Sequence, residues 1–272
     1  MTLERYDYHV HSDYSDGTEA GRMIETATRV GLDGIGFADH VLLSHPEKRR
    51  EAGYPMDPTT VEDRSNELER LAQSTDVRIF EGVEIDYYPY DEANIGTFLE
   101  KHSFDYVVGS VHELSPYRPD DPTSSVHHSN TAHFEGMSET ARVEYVDRYF
   151  ENVVSLIDSG LADILAHLDL IERNDALRGL ASTTHYRQVA DALAASSAIP
   201  EINGAAVTDD WPVLPRQEFF ELLLEHDIAF VRGSDAHGTA SLETRTARID
   251  EVVQAYDVEL KTIRTAGETD PD

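Results

Sequence analysis

The chain of 272 residues contains no cysteine and only three lysines, Lys48, Lys101 and Lys261. Without cysteine it can form neither a disulfide nor a thiolate metal site. No apolar run approaches the roughly 20 residues that cross a bilayer. The first residues, "MTLERYDYH", also lack the apolar stretch of a signal peptide. We therefore expect no membrane partner and a cytoplasmic location.

Basic residues are scarce beside acidic ones, with 22 Lys and Arg against 53 Asp and Glu and a net charge of −31. The acidic residues are spread along the chain instead of forming one tail. A surface this negative is a poor partner for a long nucleic acid. Hydrophobic residues make up 40% of the chain, enough for a buried core, which disfavours a disordered acidic protein. A salt-rich cytoplasm, as in a halophile, is the explanation that we favour.

This charge predicts that the fold is most stable at molar salt. Self-repulsion among acidic groups is then screened, because the Debye length falls to about 3 Å at 1 M. Unfolding midpoints measured from low to molar KCl test the expectation. Midpoints that stay level or fall as KCl is added would contradict the halophile interpretation.

Seven apolar, β-prone runs alternate with seven stretches of helical periodicity. The predicted strands are 6–11, 34–40, 78–87, 106–114, 163–170, 199–203 and 228–237. The predicted helices are about 18–31, 59–74, 91–102, 139–160, 182–195, 215–226 and 241–256. Strict alternation indicates parallel strands joined by crossover helices, hence an α/β sheet or barrel. No composition break divides the chain, so we predict one domain over 1–264, with a lid-like loop at 115–138 and a frayed acidic tail at 265–272.

Potential metal ligands recur at the predicted strand ends. In "DYHVHSDYSDG" (7–17), His9 and His11 project from the same face of a strand, and Asp16 follows in an Asp-Gly turn. The later strands contribute His40, Glu84, His112, His167, Asp235 and His237. Since the carboxyl ends of parallel barrel strands open on one face, all nine side chains should converge there.

Each ligand candidate has an ordinary structural explanation when it is taken alone. A lone histidine such as His167 is more often a satisfied interior residue, and Glu84 could be half of a buried ion pair. Their coincidence on one face favours metal ligation, because an apolar interior does not accept so many imidazoles and carboxylates without partners. Nitrogen and oxygen ligands without sulfur suit zinc, manganese or iron(II). We predict two or three divalent ions that share Glu84.

Seven short motifs carry a resemblance to a known family. They are "HVHSDYSDG", "FADH", "GVEI", "GSVHE", "AHLDLIER", "EIN" and "GSDAH". In this order they resemble the successive motifs of the polymerase and histidinol phosphatase (PHP) superfamily, and most closely its monofunctional histidinol-phosphate phosphatases. The resemblance covers roughly residues 5–240 and implies a distorted seven-stranded, TIM-like β/α barrel, in agreement with the seven predicted strands.

The resemblance also implies roles for individual residues. It implies one ion held by His9, His11, Glu84 and Asp235, a second held by Glu84, His112 and His167, and a third held by Asp16, His40 and His237. Glu84, His112 and Asp235 are expected to be catalytic through the ions that they hold. Arg173 corresponds to a phosphate-binding arginine of the family; the alternative is that it pairs with surface acids such as Glu172. Arg118, in the predicted loop, is a second candidate for substrate binding.

Clustered divalent ions favour phosphomonoester hydrolysis, since they bind phosphate oxygens and activate water. We therefore expect a metal-dependent phosphatase whose partner is a small phosphorylated metabolite, and the resemblance implies histidinol phosphate. After "EIN", however, this chain has "GAAVTDDWPVLP" where histidinol phosphatases commonly carry another arginine. Arg118 and Arg232 are the candidate substitutes, although Arg232 has the wrong strand parity. A nucleotide or sugar phosphate therefore stays open as substrate.

Two further classes of function are less favoured. A PHP nuclease would need basic clusters, which an acidic chain lacks. A metal-stabilised binding module is the alternative outside the enzymes. It is disfavoured because the ligand types at all nine positions are intact.

Overall fold

A computed structural model describes residues 4–41, 43, 56–57, 59–114, 125–127, 130–205 and 210–263. The strands are β1 (Tyr6–Val10), β2 (Gly34–Phe37), β3 (His40–Val41), β4 (Arg78–Asp86), β5 (Tyr106–Ser110), β6 (Ile164–Leu165), β7 (Ile199–Asn203) and β8 (Val231–Gly233). Seven of them pair in parallel in the order β1-β2-β4-β5-β6-β7-β8, and the short β3 pairs with β4. The His11 amide donates to the Ala236 carbonyl at 3.0 Å and brings the two ends of the sheet together. The predicted seven-stranded α/β barrel is confirmed.

Helices follow the strands and cover the outside of the sheet. Within the described residues they are α1 (Ala20–Val30), α2 (Val61–Ala72), α3 (Glu92–Lys101), α4 (Thr131–Glu135), α5 (Glu139–Ser159), α6 (Thr183–Ala194), α7 (Gln217–Glu225) and α8 (Thr239–Tyr256). The longest, α5, begins after Ser138, whose hydroxyl accepts from the Ala141 amide at 3.2 Å. It ends at Gly160, which has a φ of 65°. No helix in the described part of the chain combines the length and apolar character that crossing a membrane requires.

Two predicted strands lose most of their length in the structure. Of 163–170 only Ile164–Leu165 is extended, because His167 adopts a φ of 26° and the chain enters a 3-10 turn over Leu170–Arg173. Of 228–237 only Val231–Gly233 is extended, and Asp235 follows with a φ of 53°. The strand prediction is wrong at both places, and both departures occur at predicted ligands.

The predicted loop at 115–138 contains a helix, so the loop prediction is wrong over Thr131–Glu135. Phe134 of this helix is fully buried, and its ring meets that of Tyr145 edge-on at 5.2 Å. Asn174, also buried, donates to the His127 carbonyl at 3.2 Å and anchors the end of the loop. Arg118 and the tail at 265–272 lie outside the described residues.

Aromatic side chains cluster toward the amino ends of the strands. Tyr8 of β1 packs with Phe80 of β4 and Tyr106 of β5, at ring separations of 5.2 and 5.4 Å. Gly82 leaves room for this cluster, because a Cβ there would lie 2.4 Å from the Tyr106 ring. The core at this end is apolar, and the predicted ligands lie at the other end of the strands.

Candidate metal centre

Glu84, at the carboxyl end of β4, is the centre of the predicted ligand set. Its side chain is buried, and Oε2 lies 2.8 Å from His40 Nδ1 and 3.3 Å from His9 Nε2. The other oxygen, Oε1, lies 3.6 Å from the Nε2 atoms of both His112 and His167. One carboxylate is thus surrounded by imidazoles from four separate segments of the chain.

Asp235 and Asp16 complete the ligand set on the side of His11 and His237. Asp235 Oδ1 lies 3.4 Å from His11 Nε2 and 3.6 Å from His237 Nδ1. Asp16 Oδ2 lies 3.2 Å from His237 Nε2, and its Oδ1 lies 3.9 Å from His40 Nε2. All nine residues singled out in the sequence therefore lie at one end of the barrel.

Three groups of these residues have ligand atoms within 4.8 Å of one another. They are His9, His11 and Asp235; His11, Asp16, His40 and His237; and His40, Glu84 and His112. The first two groups contain most of the first and third ligand sets implied by the resemblance. The third differs from the implied second set, since it contains His40 where that set has His167. His167 is nevertheless close, with its Nε2 3.3 Å from that of His112.

Several buried polar atoms at this centre make no hydrogen bond within the described residues. They include both oxygens of Glu84 and the Nε2 atoms of His9 and His11. Buried polar atoms without partners are costly and rare in folded proteins. Divalent cations would supply the missing partner to carboxylate and imidazole alike, and this donor set suits zinc, manganese or iron(II). The residues present therefore fit the predicted ions.

The electrostatics keep the carboxylates ionised. Burial raises the pKa of Glu84, but the imidazoles of His40 and His9 outweigh it and hold this pKa well below its usual range. Burial and the charge of His237 lower the pKa of His11 to about 4, so its ring is neutral. Glu84 raises the pKa of His40 to about 10 against the effect of burial. Cations must therefore displace a proton from His40 when they bind.

Two further carboxylates orient the histidines from behind. Glu201 Oε2 lies 2.8 Å from His9 Nδ1, and its Oε1 accepts from the His167 amide at 3.0 Å. Asp86 contacts His112 Nδ1. Partners of this kind set the tautomer of a ligand and leave Nε2 available. The sequence pattern assigns neither residue a role, although Glu201 lies in the quoted "EIN" motif and Asp86 is two positions after Glu84.

The turn that carries Asp16 is held by a second buried network. Asp39 accepts from the Ser12 amide at 2.7 Å, from the Ser15 hydroxyl at 2.8 Å and from Arg64 Nε at 2.7 Å. Gly17 is required in this turn, because a Cβ there would lie 2.2 Å from the His11 carbonyl oxygen. No feature of the sequence indicated that Asp39 and Arg64 are paired.

Arg173 lies half-buried at the end of the 3-10 turn that follows His167. It makes no hydrogen bond or ion pair with the part of the chain that the structure describes. Burial lowers its pKa, and the charges of Asp235 and Arg245 are close enough to act on it. The alternative pairing with Glu172 is absent from the described ion pairs. Glu172 is buried, and its Oε2 accepts instead from the Gly179 amide and from Arg216 Nη1, each at 2.9 Å.

Arg232, a candidate substitute for the missing arginine, forms an ion pair with Asp250 of α8. Its Nη2 donates to Asp250 Oδ1 at 2.6 Å, in agreement with its strand parity. Of the two described arginines with a predicted substrate contact, Arg173 and Arg232, only Arg173 makes no hydrogen bond or ion pair with the described residues.

Known proteins resemble this chain in sequence and in fold. Residues 7–204 match the family pattern of the PHP domain. A curated protein of Deinococcus radiodurans, named probable histidinol-phosphatase, is 28% identical over an alignment of 269 residues that covers 94% of this chain and 95% of that protein. The crystal structure of histidinol phosphate phosphatase from Lactococcus lactis, complexed with zinc, L-histidinol and phosphate, is similar with a TM-score of 0.73 at 17% identity. The match covers 97% of this chain and 98% of that one.

Proposed function

The chain belongs to the PHP domain family, and we propose that it is a metal-dependent phosphomonoesterase that hydrolyses L-histidinol phosphate. The observation that carries the proposal is the ring of imidazoles around the buried carboxylate of Glu84. The guanidinium of Arg173, which makes no hydrogen bond or ion pair with the described residues, lies close enough to Asp235 for their charges to interact. The relative from Deinococcus radiodurans supports the substrate, since the match runs along nearly the whole length of both chains. A salt-rich cytoplasm is part of the proposal and rests on the net charge of −31.

The proposed centre holds two or three ions of zinc, manganese or iron(II). His9, His11, Glu84 and Asp235 would hold one, Glu84, His112 and His167 a second, and Asp16, His40 and His237 a third. When bound, such ions polarise phosphate oxygens and lower the pKa of a coordinated water. Zinc in the Lactococcus lactis phosphatase makes this metal the first to test.

The chain's own residues then have two tasks. The first is to hold ionised carboxylates in place, which Glu84 and Asp235 do because neighbouring histidines keep their pKa values low despite burial. The second is to bind the phosphate, and Arg173 can donate to two of its oxygens at once. Serine hydroxyls near the ligands in sequence are engaged, since Ser15 donates to Asp39 and Ser110 to the Ile85 carbonyl. We therefore propose direct attack by water, without a covalent intermediate on a serine.

The test is a panel of small phosphates assayed at high salt with Zn²⁺, Mn²⁺ and Fe²⁺. We expect the highest kcat/KM on L-histidinol phosphate, loss of turnover after treatment with a chelator, and at least two bound ions per chain. A higher kcat/KM on a nucleotide or sugar phosphate would reject the substrate and retain the reaction. The missing arginine after "EIN" is the reason to include those esters. Full activity of a metal-free preparation would reject the reaction itself.

Replacing Arg173 with alanine should lower kcat/KM on a phosphomonoester by about 10- to 150-fold. Hydrogen bonds to a charged group contribute roughly 1.5–3 kcal/mol, and each 1.36 kcal/mol is about tenfold in rate. Arg173→Lys should recover only part of the loss, because lysine cannot make the planar two-oxygen contact. Steady-state kinetics and the metal content, which should not change, are the measurements.

Arg178→Ala is the matched control for Arg173. Arg178 lies near the same turn, but its Nη2 pairs with Asp175 Oδ1 at 2.6 Å and its Nε donates to the Glu172 carbonyl at 2.8 Å. It should keep the wild-type kcat/KM. Equal kinetics for the Arg173 and Arg178 variants would show that Arg173 does not bind the phosphate.

A further inference from the structure

Arg245, on the second turn of α8, reaches back to the predicted ligand Asp235. Its Nη1 donates to the Ser234 carbonyl at 3.1 Å and to the Asp235 carbonyl, and lies 3.5 Å from Asp235 Oδ2. Its side chain is only 19% exposed. One guanidinium nitrogen therefore contacts both the backbone and the carboxylate of a single ligand.

Asp235 is a residue that needs such support. Its φ of 53° lies in the left-handed region, which residues other than glycine adopt only at an energetic cost. On the side of β1, the Asp235 amide donates to the His9 carbonyl at 2.6 Å, and the Ser234 amide donates to Asp7 Oδ1 at 2.9 Å. On the side of α8, Arg245 donates to the carbonyl oxygens of the same two residues. Strain of this kind persists only where the surroundings hold the backbone in place.

The helix is packed closely enough to make this contact. Gly204, directly after β7, would bring a Cβ to 2.4 Å from Arg245 Cβ and to 3.0 Å from its Cα. Any larger residue at this position would push α8 away from the barrel. The Gly204 amide also donates to the Gly233 carbonyl at 3.1 Å, which fixes it beside the end of β8. The absence of a side chain at Gly204 therefore allows α8 to pack close enough for Arg245 to contact the Asp235 turn.

We propose that Arg245 is a positioning residue, which holds the strained turn at Asp235 so that the carboxylate faces His11. The inference rests on the metal centre of the proposed function but is independent of the substrate. Residues that orient a metal ligand typically change metal affinity by 10- to 100-fold when they are replaced. The role of Arg245 should therefore be visible in metal binding without any phosphate ester.

The test compares Arg245→Gln, Arg245→Lys and wild type by titrating chelator-stripped protein with Zn²⁺ or Mn²⁺ against a competing metal indicator. We expect Arg245→Gln to weaken the binding of at least one ion by about 10- to 100-fold. Arg245→Lys should recover only part of it, since an ammonium keeps the charge but not the planar donor geometry. Arg29→Gln is the control. Arg29, on α1, makes an exposed ion pair with Glu243 of α8, the helix that also carries Arg245. This variant should bind metal as the wild type does.

Wild-type affinity and stoichiometry in Arg245→Gln would overturn the proposal. Full recovery in Arg245→Lys would also overturn it, since only the charge would then matter. If Arg245→Gln fails to fold, as judged by circular dichroism of the stripped protein, Gly204→Ala gives the answer. That variant keeps the guanidinium but displaces α8 and should weaken binding likewise, and wild-type binding by folded Gly204→Ala would contradict the proposal. A wild type that binds metal but hydrolyses no ester would reject the proposed function and leave this result unaffected.

Discussion

Glu84→Gln should lower kcat/KM on a phosphomonoester by at least about 1000-fold and reduce the number of bound ions. The carboxylate is buried, and its two oxygens lie within 3.6 Å of ring nitrogens of His9, His40, His112 and His167. A neutral amide of the same shape removes the charge that cations need at the centre of the ligand set. Metal ions contribute several kcal/mol to such a reaction, and roughly 4 kcal/mol corresponds to about three powers of ten. Steady-state kinetics and elemental analysis measure both effects.

Glu100→Gln is the control for the loss of one carboxylate, because Glu100 is exposed near the end of α3. It should keep both activity and metal content. The unfolding midpoint of metal-free Glu84→Gln should fall below that of metal-free wild type, because the buried imidazolium of His40 loses the carboxylate that stabilises it. Undiminished turnover in Glu84→Gln would remove the central carboxylate from the mechanism.

The order of elements could be predicted because parallel barrel strands are buried on both faces and appear as short apolar runs. Where those strands end could not be predicted. The chain turns out of the sheet at His167 and Asp235, which have positive φ angles of 26° and 53°. Neither "LAHLD" nor "GSDAH" contains a glycine or proline at the turning residue that would predict the turn. Tertiary contacts impose the turns at these residues, as the hydrogen bonds of Arg245 to the Asp235 turn illustrate.

The helix Thr131–Glu135 was missed for a different reason. Its five residues make little more than one turn, so they offer no periodicity to detect. Polar neighbours in "SNTAHFEGMS" hid the one informative residue, Phe134, which is fully buried. A single apolar side chain in a polar stretch does not distinguish a packed helix from a loop.

The cluster of candidate metal ligands was predictable because their residue types are rare in strands and their positions share one end of the barrel. The residues that orient them were not, since each acts across the fold. His9 and Glu201 are 192 positions apart, and no local spacing connects them. The same holds for Arg173, the proposed phosphate-binding residue, because its pairing with Glu172 depends on a residue distant in the sequence. Arg216, 44 positions away from Glu172, pairs with that carboxylate, and Arg173 makes no ion pair with it in the described structure.

Arg64 on α2 is the largest fully buried side chain in the described structure, and its guanidinium joins three segments of the barrel. Besides Asp39, it donates to the carbonyl of Phe37 at 2.5 Å and to that of Gly82 at 2.8 Å, and its Nη1 lies 3.2 Å from Glu81. Burial raises the pKa of Asp39, but the charges of Arg64 and His11 and the hydrogen bonds from Ser12 and Arg64 together hold it below its usual value. The turn that carries Asp16 depends on Asp39, so the ion pair supports both the fold and the site.

Arg64→Met should therefore destabilise the fold by about 3–5 kcal/mol, because it leaves the buried carboxylate of Asp39 without its partner. Methionine fills much of the same volume, so the loss measures the unpaired charge more than a cavity. Denaturant unfolding at molar salt gives the free energy. Arg70→Met, on the same helix, is the matched control: its side chain is 70% exposed and lies 3.8 Å from Glu67, and such pairs contribute about 0–1 kcal/mol. If both variants lost the same small amount, the buried ion pair would not hold the barrel together. If only Arg64→Met lost stability and also bound fewer ions, Asp39 would connect the stability of the barrel to the metal centre.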